Sequence, residues 1–365
     1  MIERNNSSGR KKVAILIEQA VEDVEFIVPY NGLKQAGMEI VVLGSRMNEK
    51  YKGKRGKLSI QADGTTTEAL ASEFDAVVIP GGMAPDKMRR NCNTVCFVQE
   101  AMQQGKWIAA VCHGPQILIE IDALRGKKAT GFTAIRQDMI NAGATYLDEP
   151  LVIDGNLITS REPGDLAIFT TALLNRLGYG GKEAGLPDEK DTSAEWWKLA
   201  DAWGGSTKGE IVKGLNTALA GEKYSLEALE KYLEKESDPE IRTLFQEMMD
   251  YKQRHISRLE TYLHRLSEKP ALSTHIANQY AKVRAILTGS DDIYQLRCAL
   301  GDVQTGIGDV SNLSVMFTDP VATAIFKEIY LNLGKLEQQL IELYRQRIAA
   351  GFKPPQPTSG TAVAT

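Results

Sequence analysis

No apolar run in this 365-residue chain approaches the roughly 18 residues that a membrane-spanning helix needs. Basic charge is not in excess either. Forty-three Lys and Arg stand against 47 Asp and Glu, a formal charge of -4 that gives no electrostatic case for nucleic acid or an anionic membrane as partner. Cysteine is scarce: Cys92, Cys96, Cys112 and Cys298 form no paired framework, as suits a reducing compartment, and Cys92 with Cys96 lacks the second ligand pair of a zinc site. The first ten residues contain no apolar segment resembling a signal peptide, so a cytoplasmic protein is expected. Histidine is equally sparse. Of His113, His255, His264 and His275, only the first lies in the N-terminal half.

What is present is the material for two soluble domains. The 43% hydrophobic and 25% charged content is that of a globular protein, and the length allows two separate cores. From residue 12 to about 176, short β-branched runs alternate with amphipathic stretches, the pattern of an α/β layer fold with a mainly parallel sheet. Expected strands are Val13 to Ile17, Glu39 to Leu43, Ala76 to Ile79 and Trp107 to Val111, with helices from about Val24 to Gln35 and Thr94 to Gln104. Beyond Leu177 the strand-like runs vanish. A glycine-rich linker at 178–206 carries a short Trp-rich helix, expected to pack between domains, and apolar residues then recur at three and four, as in Leu226, Leu229, Tyr232 and Leu233. The expected division is a disordered N-terminus at 1–11, an α/β domain at 12–177, the linker, a helical bundle at 207–350 and a disordered tail at 351–365.

The chemistry concentrates at Val111-Cys112-His113-Gly114-Pro115. An apolar strand ends there and a helix begins, so Cys112 falls on a tight strand-to-helix turn, a nucleophile elbow whose following helix N-terminus would favour the thiolate. His113 is the one imidazole available to the first domain as a proton carrier. Gly81-Gly82 follows the Ala76 to Ile79 strand, and glycines at such an end let a backbone amide approach a developing oxyanion. Glu22 follows the first strand, where its carboxyl group would reach the Cys112 sulfur; Asp23 and Glu25 crowd the same helix start. All these positions lie at carboxyl ends of strands, the edge where open α/β sheets bind ligands.

Five ordered segments, Val21-Glu22-Asp23-Val24-Glu25, Ile79 to Pro85, Ala110 to Pro115, Asn141 to Ala144 and Thr159-Ser160-Arg161, resemble the ThiJ/PfpI family and its PfpI branch in particular. The resemblance implies a flavodoxin-like three-layer sandwich with Cys112 as nucleophile, His113 as its partner, Glu22 beside the thiol and Gly81 or Gly82 in an oxyanion hole. It also implies a homo-oligomer in which an acid from a neighbouring subunit reaches the Cys-His pair. Glutamine amidotransferases of the same superfamily use a histidine well downstream of the cysteine; none occurs between His113 and His255, which argues against that activity.

The helices from about 208 to 348 resemble a ferritin-like four-helix bundle. Asp238-Pro239 and Asp319-Pro320, 81 residues apart, mark a weak internal duplication in which each Asp would cap a helix with Pro at its first position. Metal-binding members place a Glu-x-x-His pair on such helices. Here Lys252 stands three residues before His255, and Leu333 and Leu336 occupy the duplicated positions, so no metal and no cofactor are expected. The expected function is a cysteine-dependent hydrolase: a peptidase, or a glyoxalase or deglycase acting on methylglyoxal or glycated adducts. The competing expectation is a stress-response redox sensor whose bundle mediates interaction.

Overall fold

The computed structural model describes residues 10–180, 185–270 and 294–348. Its contacts divide into two units, Met1–Ile211 together with Val315–Thr323, and Val212–Ser314 together with Ala324–Thr365. Of the disordered ends expected at 1–11 and 351–365, residues 1–9 and 351–365 lie outside the described residues.

In the first unit the strands are β1 (Lys12–Leu16), β2 (Glu39–Gly44), β3 (Lys50–Lys52), β4 (Ser59–Gln61), β5 (Gly64–Thr65), β6 (Ala76–Ile79), β7 (Trp107–Val111), β8 (Lys128–Ala129), β9 (Thr145–Tyr146), β10 (Leu151–Asp154) and β11 (Leu157–Ser160). Seven of them form one sheet in the order β10-β11-β7-β6-β1-β2-β5, parallel except for the β10-β11 hairpin. Val13 to Leu16, Ala76 to Ile79 and Ile108 to Val111 are fully buried, as continuous apolar runs in a sheet covered on both faces must be. The chain leaves β1 toward β2 but leaves β6 in the opposite direction toward β7. Right-handed crossovers therefore put helix Asp23–Gln35 on one face and helix Cys92–Gln103 on the other, giving three layers. The reversal point lies between β1 and β6, and Glu22, Gly81 and Cys112 all follow strands at or next to it.

The first unit extends beyond the boundary expected at residue 177. Trp196, Ala200 and Trp203, on and just after helix Trp196–Ala202, are buried in its core, and Asn31 Nδ2 donates to the Trp203 carbonyl at 2.9 Å. The Trp-rich segment thus belongs to the α/β unit, because its two large rings find their apolar partners there. A second departure is the segment Val315–Thr323, which in sequence links the last two long helices. Ser206 and Thr318 clamp it through two reciprocal bonds, Ser206 N to Thr318 Oγ1 at 2.7 Å and Thr318 N to Ser206 Oγ at 3.2 Å.

The long helices are Lys208–Lys235, Pro239–Arg265, Tyr294–Ser314 and Pro320–Ile348, and most of their length makes the second unit. The expected caps form. Asp238 accepts from Glu240 N at 2.9 Å and Ile241 N at 3.3 Å, and Asp319 accepts from Val321 N at 3.0 Å. Phe245, Leu259, Leu263, Leu333, Leu336 and Leu340 are among the fully buried side chains of the second unit, the apolar stripe that the three-and-four spacing encodes.

Candidate active site

Cys112 sits between β7 and helix Pro115–Glu120 with φ +61, a left-handed conformation that costs a non-glycine residue on the order of 1–3 kcal/mol. The surroundings enforce it. Cys112 N donates to the Ser160 carbonyl at 3.0 Å, Gly114 N to Val111 O at 2.7 Å, and Phe132 N to the Cys112 carbonyl at 2.9 Å. The sequence-predicted elbow is therefore present, strained and over-determined.

Gly81 packs against this turn so closely that a Cβ there would stand 2.6 Å from Glu25 Oε2, 2.7 Å from His113 N and 2.9 Å from Cys112 Cβ. Only glycine fits. Gly82 adopts φ +72, and a Cβ on it would strike the Glu22 amide. Gly82 and His113 both donate their backbone N–H to the Cys112 sulfur. The Gly81 amide is taken, because it donates to Glu25 Oε2 at 2.8 Å. Of the two glycines expected at an oxyanion hole, Gly82 is thus the one whose amide is directed at the Cys112 sulfur.

The carboxyl group beside the thiol is Glu25, not Glu22. Three acids crowd the start of helix Asp23–Gln35, and each has a different job. Glu22, at the cap position, pairs with Arg55 Nε at 2.6 Å and lies 3.8 Å from Lys54 Nζ. Asp23 accepts from the Arg55 and Leu58 amides at 2.7 and 2.6 Å, fastening the 53–58 loop. Glu25, in the first turn of the helix and fully buried, hydrogen-bonds the Cys112 side chain. Glu22 and Glu25 are three residues apart on one helical face, so both line the cleft, but only the second reaches inward to the elbow.

Burial, and then the charge of nearby Glu22, push the Glu25 carboxyl up to about 8, so it carries its proton at neutral pH. Its Oε1 has no hydrogen-bond partner, which suits a neutral acid rather than a buried carboxylate. Burial also pushes the Cys112 thiol up, and a charged Glu25 adds to that push. Protonation of Glu25 reverses its own part: a neutral carboxyl donates to sulfur and joins the Gly82 and His113 amides in favouring the thiolate. The helix N-terminus expected to favour the thiolate does not prevail: helix Pro115–Glu120 spans only six residues, and the net effect of the surroundings is to push the Cys112 thiol up. Burial and the Lys54 charge hold the His113 imidazole below its ordinary value, so it is neutral at pH 7. Its ring lies 5.2 Å from that of Phe132, and no described side chain hydrogen-bonds to it.

These groups line a cleft of about 320 Å³, together with Lys54, Arg55, Gln116, Phe132 and Val315. Lys54, Arg55 and Val315 were not legible as site residues. The first two arrive on a loop fastened by Asp23, and Val315 arrives from more than 200 positions downstream.

The three-layer sheet and the cysteine elbow at its reversal point define a flavodoxin-like domain of the cysteine-elbow class. The chain belongs to the DJ-1/PfpI family, whose model matches residues 11–176. It is 40% identical over 169 residues to protein/nucleic acid deglycase 2 of Escherichia coli, covering 46% of this chain and 98% of that protein. Against deglycase PfpI of Pyrococcus furiosus it is 44% identical over 155 residues, 42% of this chain and 92% of that one. A crystal structure of a two-domain protein from Anabaena variabilis, with DJ-1/ThiJ/PfpI-like and ferritin-like domains, matches with TM-score 0.87 and 74% identity, covering 96% of this chain and 100% of that chain.

In the ferritin-like unit the residues present do not fit a di-iron centre. Glu222 Oε1 accepts from Lys252 Nζ at 2.9 Å, its Oε2 lies 2.8 Å from His255 Nδ1, and His255 Nε2 lies 2.9 Å from Asn332 Nδ2. Glu222, Lys252 and His255 are all buried, and both carboxylate oxygens are engaged. Burial opposes ionisation of Glu222, but the Lys252 charge and the His255 bond win and hold its carboxyl below the usual range. Among the described residues no cluster of three or more His, Cys, Asp or Glu is arranged to hold a metal. The buried pair makes its own demand on stability. Lys252→Ala leaves the buried Glu222 carboxylate without its ammonium partner, and a loss of about 3–5 kcal/mol is expected in urea denaturation; a midpoint equal to wild type would contradict the pairing.

Proposed function

We propose that this protein is a cysteine-dependent enzyme acting on a small 2-oxoaldehyde, free or as its adduct with an amine or thiol, in the manner of a glyoxalase or deglycase. The observation that carries the reading is a strained, buried thiol at a left-handed turn with the fully buried Glu25 carboxyl group beside it, which burial pushes up to about 8. The two relatives named as deglycases support it.

The chemistry follows from the positions. The Cys112 thiolate adds to the aldehyde carbon, forming a C–S bond, and the carbonyl π pair moves to oxygen, which takes the Glu25 proton. The Gly82 and His113 amides, aimed at the sulfur, flank the oxygen as charge develops. Glu25, now a carboxylate, or neutral His113 removes the remaining hydrogen of that carbon as a proton, which is returned to the adjacent carbonyl carbon, while the proton of the new hydroxyl passes to the adjacent carbonyl oxygen. The first carbon is thereby oxidised to a thioester and the second reduced to an alcohol, so no external oxidant is needed. Water then releases a 2-hydroxy acid and restores the thiol. From an amine adduct, a hemiaminal, the C–S bond forms as the C–N bond breaks, the amine leaves with the Glu25 proton, and the same rearrangement gives the same product. The acid that the family resemblance would bring to His113 from a second copy of the chain is part of this proposal.

The test compares three substrates at equal enzyme: methylglyoxal, its adduct with N-acetylarginine, and a fluorogenic peptide. Lactate from the first two with slow or absent peptide cleavage is the expected result. Peptide cleavage without lactate would replace this reading with a peptidase.

A further inference from the structure

We propose that Val315, held in place by Arg55, is a specificity-determining wall of the Cys112 cleft that restricts it to small carbonyl compounds. The inference rests on the function proposed above and adds the size class of the substrate.

Val315 begins the segment Val315–Thr323, which packs with the α/β unit although it joins the last two long helices in sequence. It lines the cleft, whose volume of about 320 Å³ lies at the small end of the range for ligand pockets. Its placement is enforced from both sides. Arg55 Nη2 donates to the Val315 carbonyl at 3.1 Å while Arg55 Nε holds Glu22 at 2.6 Å, and the Ser206-Thr318 clamp fixes the segment three residues on. Phe317, Thr318 and Asp319 are buried, so the segment is packed rather than draped over the surface.

The single-domain relatives have no counterpart. The Escherichia coli protein is matched over 98% of its length by 169 residues of this chain, and the family model ends at residue 176, so nothing in that protein corresponds to a wall supplied at position 315. The cleft is therefore bounded in this chain by a residue from outside the region that the family model matches. A half-buried valine at that place leaves room for a three-carbon dicarbonyl beside Cys112 and crowds a bulky aryl group or a polypeptide.

The experiment reads access to Cys112 without relying on turnover. In full-length protein carrying Cys92→Ser and Cys96→Ser, which removes the exposed thiols, Cys112 is alkylated with iodoacetamide and, separately, with fluorescein-5-maleimide. Val315→Ala is expected to raise the ratio of the large-reagent rate to the small-reagent rate about 5-fold, and Val315→Trp to lower it about 10-fold or more. The same order is expected for kcat/KM on phenylglyoxal relative to methylglyoxal. Alkylation ratios within 2-fold of the parent in both variants would overturn the wall. If wild type converts neither glyoxal, the proposed function fails while the alkylation ratios still decide the role of Val315. A change in rate that is equal for both reagents would also overturn it, since that reports on thiol reactivity and not on space.

Discussion

Cys112→Ala is expected to lower methylglyoxal turnover on the order of 10³-fold or more, to the level of buffer, because the residue that forms the covalent bond is gone and no neighbour replaces it. Cys92 and Cys96 are exposed on a separate helix, and Cys298 is buried in the helical region. Cys112→Ser is expected to be as poor as alanine: a serine hydroxyl ionises far less readily than a thiol, and the buried turn opposes that ionisation further. The loss is expected without a matching loss of fold, because Ala and Ser keep the same left-handed turn and its backbone bonds. Kinetics and thermal melting on the same samples check both halves; residual turnover within 10-fold of wild type would remove Cys112 from the chemistry.

The second large effect separates two glutamates that the sequence places three residues apart. Glu25→Gln retains shape and a hydrogen bond to sulfur but has no acidic proton to give, and kcat is expected to fall about 10²–10⁴-fold. Glu22→Gln releases Arg55 instead, with an expected change mainly in KM and less than about 10-fold in kcat. The reverse order would contradict the assignment. The pH dependence carries the same signature. Glu25 loses its proton only near pH 8, so a step that needs that proton slows as pH rises through about 8 in wild type. The proton also counts in folding. Released near 4.5 when unfolded but kept to about 8 when folded, it contributes stability that is complete below pH 4.5 and is lost progressively as pH rises toward 8. Thermal melts of Glu25→Gln are expected to lack that loss.

Much of the first unit was legible because burial on both faces leaves continuous apolar runs. Val13 to Ile17, Ala76 to Ile79 and Trp107 to Val111 have the length and β-compatible apolar composition that a covered parallel sheet buries. The elbow was legible for a local reason, a cysteine between such a run and Gly114-Pro115. What one sequence hides is the direction in which a side chain points after a turn. Glu22 and Glu25 share a helical face, and which of them reaches the thiol depends on where the helix axis lies over the sheet, a tertiary fact. The same limit explains Trp196 and Trp203, whose apolar rings seek the nearest core irrespective of the glycine-rich stretch before them. Val315 was beyond reach altogether. Its role comes from a long-range clamp at Thr318 and from Arg55, and no periodicity or motif marks it. Lys252 was the opposite case: one residue in the wrong place for a metal ligand, read from spacing alone, and the structure shows its ammonium engaging the carboxylate a metal would need.

The most direct test is to find the bond itself. Wild-type protein mixed with methylglyoxal, quenched within the first turnover, proteolysed and analysed by mass spectrometry should carry one dicarbonyl equivalent on the peptide containing Cys112, and prior alkylation of Cys112 should abolish it. Adducts confined to the exposed Cys92 and Cys96, or none on Cys112 while product still forms, would contradict the account.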